Sequence, residues 1–295
     1  MTSTDLQSAP GAPVLPGTLR LGPVHLTVSD LDRSLAFYRD VVGLPARERR
    51  GATAALGAGD ADVLVLVGEP GARRAGRAAG LYHVALLHPS RTELARAALR
   101  LAAARAPIQG ASDHLVSEAI YLADPDGNGL ELYADRPRDA WPAGGPGERV
   151  GMATEPLDIH GLLALAEGEA PRVAADPALR VGHVHLHVGD VGAAVRFYRD
   201  VLGLELMTTY PAAAFLAAGG YHHHVAVNEW RGHGVPPQPA GAVGLRHWTI
   251  LLPQRSDLDA VQARLAAAGI DADARPDGVL VRDPAGNAAL LGVSG

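Results

Sequence analysis

Cysteine is absent from the 295-residue chain. That excludes a disulfide framework and any thiolate metal site, so a metal can be held only by His, Asp or Glu. Long apolar runs are absent as well, and no stretch approaches the roughly 20 residues of a membrane span. The N-terminal residues 1–18 are rich in Pro, Gly, Ser and Ala. They have neither a cationic start nor an apolar core of signal-peptide length, and they read as a flexible tail. Positive charge is not in excess, because 26 Lys and Arg stand against 32 Asp and Glu for a formal net charge of −6. With no basic stripe, nucleic acid is not an expected partner. The hydrophobic content of 47% is that of an ordinary globular chain, here expected to be cytoplasmic and free of membrane. The length suits two ordinary domains or one large one.

What is present is repetition. Residues 22–44 read GPVHLTVSDLDRSLAFYRDVVGL and residues 182–204 read GHVHLHVGDVGAAVRFYRDVLGL; 13 of these 23 positions are identical at an offset of 160. A second pair, GLYHVALLHPSRTELARAALRL (80–101) and GLRHWTILLPQRSDLDAVQARL (244–265), is followed by the turns DPDGNGLEL (124–132) and DPAGNAALL (283–291). Self-similarity of this kind fixes the architecture before any single element does. Each unit opens with an alternating strand such as Val24, Leu26 and Val28. A polar cap and an amphipathic helix ending on Gly come next, then further strands joined by Gly or Asp-Gly turns. The pattern is βαβββ four times, over 20–68, 80–135, 181–230 and 243–293. Two such units fill 19–135 and two fill 181–295. Between them, 136–180 reads as a Pro- and Gly-rich linker containing a short helix near 157–167.

The strand starts of the form HVxLxVxD, the FYRDVLGL helix and the DPDGNGLEL turn together resemble the vicinal oxygen chelate superfamily of glyoxalases, bleomycin resistance proteins and extradiol dioxygenases. The resemblance runs over nearly the whole chain from Leu19. YHVALL, SEAIYLADPDGNGLELYADRP, GHVHLHVGD and GGYHHHVAVN are similar to the bacterial catechol 2,3-dioxygenases within it. The resemblance implies an α+β fold in which modules pair to make two cupped mixed sheets. It also implies a metal held by a first-strand His of one module and by a first-strand His and a last-strand Glu of another. Carried over by position, the first module offers Pro23, the second His83 and Glu131, the third His183, and the fourth His247 with Leu290 in place of the carboxylate. Pairing within each half leaves both sites incomplete. Pairing the second module with the third, and the first with the fourth, gathers His83, Glu131 and His183 in one cup, and this is the expected arrangement. The alternative is that His25 stands in for Pro23. It faces the same side of its strand, but it lies two residues along, roughly 6.6 Å away.

Two His and one carboxylate on one face of an octahedral cation leave three coordination positions open, as in Fe(II) oxygenases. The family therefore implies Fe(II), with Mn(II) admitted, and a small aromatic diol plus O2 as substrates. Among ring-cleaving relatives a Tyr stands ten positions before the Glu. Tyr121 matches it and is expected to move a substrate proton, although a half-buried strand Tyr is an equally ordinary role. His114 falls near the place of a further polar catalytic group, or is a loop His beside Asp113. His185 shares a strand face with His183 and is expected to point into the cup. In the tract Tyr221-His222-His223-His224, read as a strand, His222 and His224 share one face. They are expected, with Trp230, to line the substrate pocket, and either would make a fourth ligand. Arg47 to Arg50 and Arg73, Arg74 and Arg77 read as solvated surface. Two other functions compete: a glyoxalase-like isomerase or transferase, which often uses four protein ligands, and a non-catalytic binding protein, which usually lacks the triad. The family's habit of dimerising admits a homodimer.

Overall fold

The computed structural model describes residues 14–294. Two strongly curved mixed sheets carry all of the strands among the described residues. One runs in the spatial order Asp273–Arg275, Gly278–Arg282, Ala288–Val293, Ala242–Leu252, Val24–Val28, Leu64–Gly68, Thr53–Leu56, Ala46–Arg50. The other runs Glu155–Pro156, Gly110–Asp113, Ser117–Ala123, Gly129–Asp135, Gly80–Leu87, Arg180–His187, Val225–Asn228, Ala213–Ala217, Glu205–Tyr210. Strands of 80–135 thus lie beside strands of 181–230, joined where Gly80–Leu87 runs antiparallel to Arg180–His187. Strands of 20–68 lie beside those of 243–293, through Val24–Val28 and Ala242–Leu252.

Alternation sorts the second sheet into two faces. Val84, Leu86, Leu130, Leu132, Val184 and Leu186 enter the main hydrophobic core. Ala85, Leu87, Ala119 and Tyr133 cluster on the other face, inside the curve. No helix among the described residues is long and apolar enough to cross a membrane. The helices begin where the sequence signals them: Asp30, Ser90 and Asp190 each accept a backbone N–H three residues on. Two of them, Leu31–Phe37 and Val191–Arg196, widen into π-type turns over Tyr38–Val42 and Phe197–Leu202. Gly43 and Gly203 end these turns at φ 82° and 95°, in the left-handed region that glycine tolerates.

The repeated motifs turn out to be partners. Tyr38 O–H donates to the buried Asp124 carboxylate at 3.2 Å, and Tyr198 donates to Asp283 at 3.1 Å. Arg100 donates to the carbonyls of Val41 and Val42, and Arg264 to those of Val201 and Leu202. Each FYRDV helix is therefore clasped by the helix and turn of the module that follows it, across the gap between the two sheets.

Two expectations need correction. Residues 1–13 lie outside the described residues, but 14–18 do not behave as a loose tail. Leu15 is buried and its N–H donates to Gly203 O at 2.7 Å. Gly17 packs backbone to backbone against Gly219, leaving no room for a Cβ. The linker also joins the fold, because Glu155–Pro156 adds a strand to the edge of the second sheet. Its helix spans Ile159–Leu163 and tightens over Ala164–Ala166.

Candidate metal centre

Register builds the centre. Glu131 pairs with Tyr121 on one side and Ala85 on the other, and Ala85 pairs with His183 on the next strand. Partners in register point to the same face, so Tyr121, Glu131, Ala85 and His183 form one row across the cup. His83 stands two residues before Ala85, opposite His185. The small side chain of Ala85 leaves space for Glu131 and His183 to converge. Glu131 Oε2 lies 3.0 Å from His83 Nε2 and 3.2 Å from His183 Nε2. One donor atom from each of the three residues lies within 4.8 Å of the others.

The donor set fits a divalent cation. Spacings near 3 Å are those of neighbouring donors around an ion with bonds of roughly 2.1 Å. His83 Nε2 is buried and, despite its distance from Glu131, is not aligned as a hydrogen bond and has no partner. A buried lone pair without a partner costs free energy unless something accepts it. Charge agrees. Burial alone would raise the Glu131 pKa, but His183 and His83 hold it well below the usual carboxylate range. Burial lowers His183 to about 4 against the pull of Glu131. The group is an ionised carboxylate beside an imidazole, that of His183, held toward its neutral, donor form.

A cavity of about 340 Å³ opens over these residues, lined also by Tyr121, His114, His185, His223 and Trp230. His114 Nδ1 lies 2.8 Å from Ala153 O, and its Nε2 lies 2.6 Å from Tyr121 O–H. A carbonyl can only accept, so Nδ1 carries the proton and Nε2 accepts from the Tyr121 hydroxyl. Burial, helped by the Glu131 charge, pushes the Tyr121 pKa well above its ordinary value. His185 Nε2 accepts from Asn228 Nδ2 at 2.9 Å. Asn228 Oδ1 in turn accepts from His187 Nδ1 and from the Trp230 N–H. Burial and neighbouring imidazoles hold His185 well below its ordinary pKa.

The histidine tract departs from expectation. The strand begins only at Val225, after Gly219 and Gly220 turn the chain at positive φ. His223, not His222 or His224, lines the cavity, and its ring lies 4.0 Å from that of His183. His222 is buried behind it, donating through Nε2 to Asp135 Oδ1 at 2.9 Å and accepting from His223 Nδ1 at 2.8 Å. His224 reaches a separate groove beside Arg180 and Gly17. None of the three joins the group of converging donors.

Further contributors to the cavity were not read from the sequence, Tyr82, Met152 and Thr154 among them. A β-bulge between His185 and Leu186 leaves Tyr82 unpaired and turns its ring over His83, His185 and Trp230 at 4.8–5.3 Å. An unpaired position between two paired ones carries no mark in the residue types. Met152 and Thr154 enter from the linker.

His25 and His247 stack on each other in the other sheet, ring centroids 4.0 Å apart. His25 therefore completes no site with His83 and Glu131.

Comparison with known proteins agrees with this architecture. The family model of the Glyoxalase/Bleomycin resistance protein/Dioxygenase superfamily matches residues 20–132 and 180–289. The catechol-2,3-dioxygenase of Bacillus subtilis (strain 168) is 41% identical over 277 residues, covering 92% of this chain and 95% of that protein. The biphenyl-2,3-diol 1,2-dioxygenase 3 of Rhodococcus globerulus is 33% identical over 92 residues, 31% of this chain and 48% of that protein. Glyoxalase I from Zea mays shares the fold with a TM-score of 0.59 at 19% identity, covering 94% of this chain and 92% of that one. From its repeats, its two cupped sheets and the extent of these matches, the chain belongs to the glyoxalase/bleomycin resistance protein/dioxygenase superfamily.

Proposed function

We propose that the chain is an extradiol dioxygenase that opens the ring of a catechol, with or without further substituents, at one Fe(II) held by His83, Glu131 and His183. The observation that carries this reading is the convergence of those three donors beside a Tyr121–His114 pair in one cavity. The name and identity of the Bacillus relative support it. An isomerase of the glyoxalase kind often uses a fourth protein ligand, and none joins the three among the described residues.

The reaction breaks one ring C–C bond beside the diol and places both atoms of O2 in the product. The metal, when bound, supplies the site at which the diol and O2 are held together and electrons pass between them. The protein's own groups handle position and protons. Tyr121 keeps its proton at neutral pH and shares it with His114 Nε2, so the pair can take a proton from a substrate hydroxyl and return it. Tyr82 and Trp230 stand at the mouth as an aromatic edge, 39% and 50% exposed, against which a ring can lie. Asn228 fixes the His185 ring, which stands perpendicular to that of His83 with centroids 5.0 Å apart.

Purified protein loaded anaerobically with Fe(II) should consume O2 and turn catechol yellow on exposure to air. His183→Ala should lose both metal and activity, whereas His25→Ala should keep the metal. Absence of O2 uptake with every catechol tried would overturn the proposal.

A further inference from the structure

The other sheet has a cup of its own, with a cavity of about 600 Å³. Repeat by repeat it has lost the means to hold a cation. Pro23 stands where the first cup has His183, Leu290 where it has Glu131, and Leu280 where it has Tyr121. Positive charge has replaced the donors. Arg246 occupies the repeat position of Tyr82, and the same kind of bulge, here between Leu245 and His247, leaves it unpaired. It lines this cavity as Tyr82 lines the first. Arg275 and Arg282, from neighbouring strands, line it as well.

The signs of the two cups are opposite. The second is lined by three Arg against Glu69 and Asp277, a formal +1 with its His neutral. The first has Glu131 and no Arg or Lys, a formal −1. Arg246 bonds Glu69 and Thr27 through Nη1, Arg275 meets Asp273 through Nη2 at 3.5 Å, and Arg282 donates to Gly286 O through Nη1. One nitrogen of each guanidinium is engaged in these bonds, and the remaining donors can meet a carboxylate in the forked geometry that suits it. His247 also lines the cavity, and its ring is stacked on His25 with an interplanar angle of 24°. Leu245, Leu280 and Leu290 add apolar surface.

We propose that this second cup is a binding site for a small planar carboxylate: the arginines take the anionic end, and the unsaturated body lies against the leucines and His247. The site needs no metal and does not depend on the reaction assigned to the first cup.

Benzoate is a suitable probe. Calorimetric titration of metal-free protein should show saturable binding with one site per chain. Arg275→Gln together with Arg282→Gln, at strand positions whose side chains reach solvent, should weaken it at least tenfold. Glu131→Gln, in the other cup, should leave it unchanged. Circular dichroism checks that the double variant is folded, and raising the salt concentration on the unmodified protein tests the same charge without any substitution. Binding that does not saturate, that ignores both salt and the arginine pair, or that is lost in Glu131→Gln would overturn the proposal.

Discussion

At the scale of single residues, one backbone carbonyl decides where the protons around Tyr121 sit. Ala153 O can only accept, which orients the whole Ala153–His114–Tyr121 chain toward the cavity. Tyr121→Phe removes the exchangeable proton and keeps the ring. We expect turnover to fall by roughly 10²–10⁴-fold, the usual worth of a positioned acid–base group. Metal content and the KM for catechol should stay near those of the unmodified protein. A variant that keeps full turnover would show that the hydroxyl handles no proton in the rate-limiting step. Because Tyr121 is pushed well above its ordinary pKa, its ionisation should add no alkaline limb to the rate profile near neutrality.

Among the elements, the FYRDV helices depend on side chains from the next module. Arg100 is 4% exposed and satisfies the last carbonyls of the first helix, Val41 and Val42. Arg100→Met keeps much of the stem and leaves these acceptors without their partner. The expected cost is about 1–3 kcal/mol, read as a lower urea midpoint at an unchanged slope. An unaltered midpoint would mean that water satisfies the same carbonyls. Two helix starts were legible in the sequence because a cap is a local device: Asp30 and Asp190 act within three residues. So were the strand positions of His83, Glu131 and His183, through the repeat taken together with the family resemblance. What escaped was non-local or fell in irregular backbone. The His222–His224 tract has strand-like residue types, yet Gly219 and Gly220 at positive φ delay the strand to Val225 and exchange which imidazole faces inward. Tyr82 depends on a bulge set by the partner strand. Leu15, Met152 and Thr154 are placed by contacts far away in the chain, which a composition rich in Pro and Gly does not foretell.

The whole molecule carries several imidazoles that folding keeps neutral, and this makes it sensitive to acid. His88 is 2% exposed, neither ring nitrogen has a partner, and burial lowers its pKa from 6.5 to about 3. The unfolded chain therefore binds the proton more readily. The contribution is fully present above pH 6.5 and is lost as pH falls from 6.5 toward 3, at up to about 1.4 kcal/mol per pH unit. Its repeat counterpart is Leu252, also buried, so the site suits an apolar side chain of that size. His88→Leu should unfold at nearly the same urea concentration at pH 7 and at a higher one than the unmodified protein at pH 5. Equal losses between those pH values in both proteins would place the acid sensitivity elsewhere.

His83 and Glu131 come from the first half of the chain and His183 from the second, and the strands that bear them meet only across the Gly80–Leu87 and Arg180–His187 seam. A ribosome that has released the polypeptide as far as Asp135 has made two donors and an uncovered strand edge, with nowhere to trap an ion. Capture of an ion by this triad therefore waits until the strand bearing His183 has been made and docked. A proteolytic nick between the halves would spare every ligand, yet ion retention would then hang on whether the fragments stay docked.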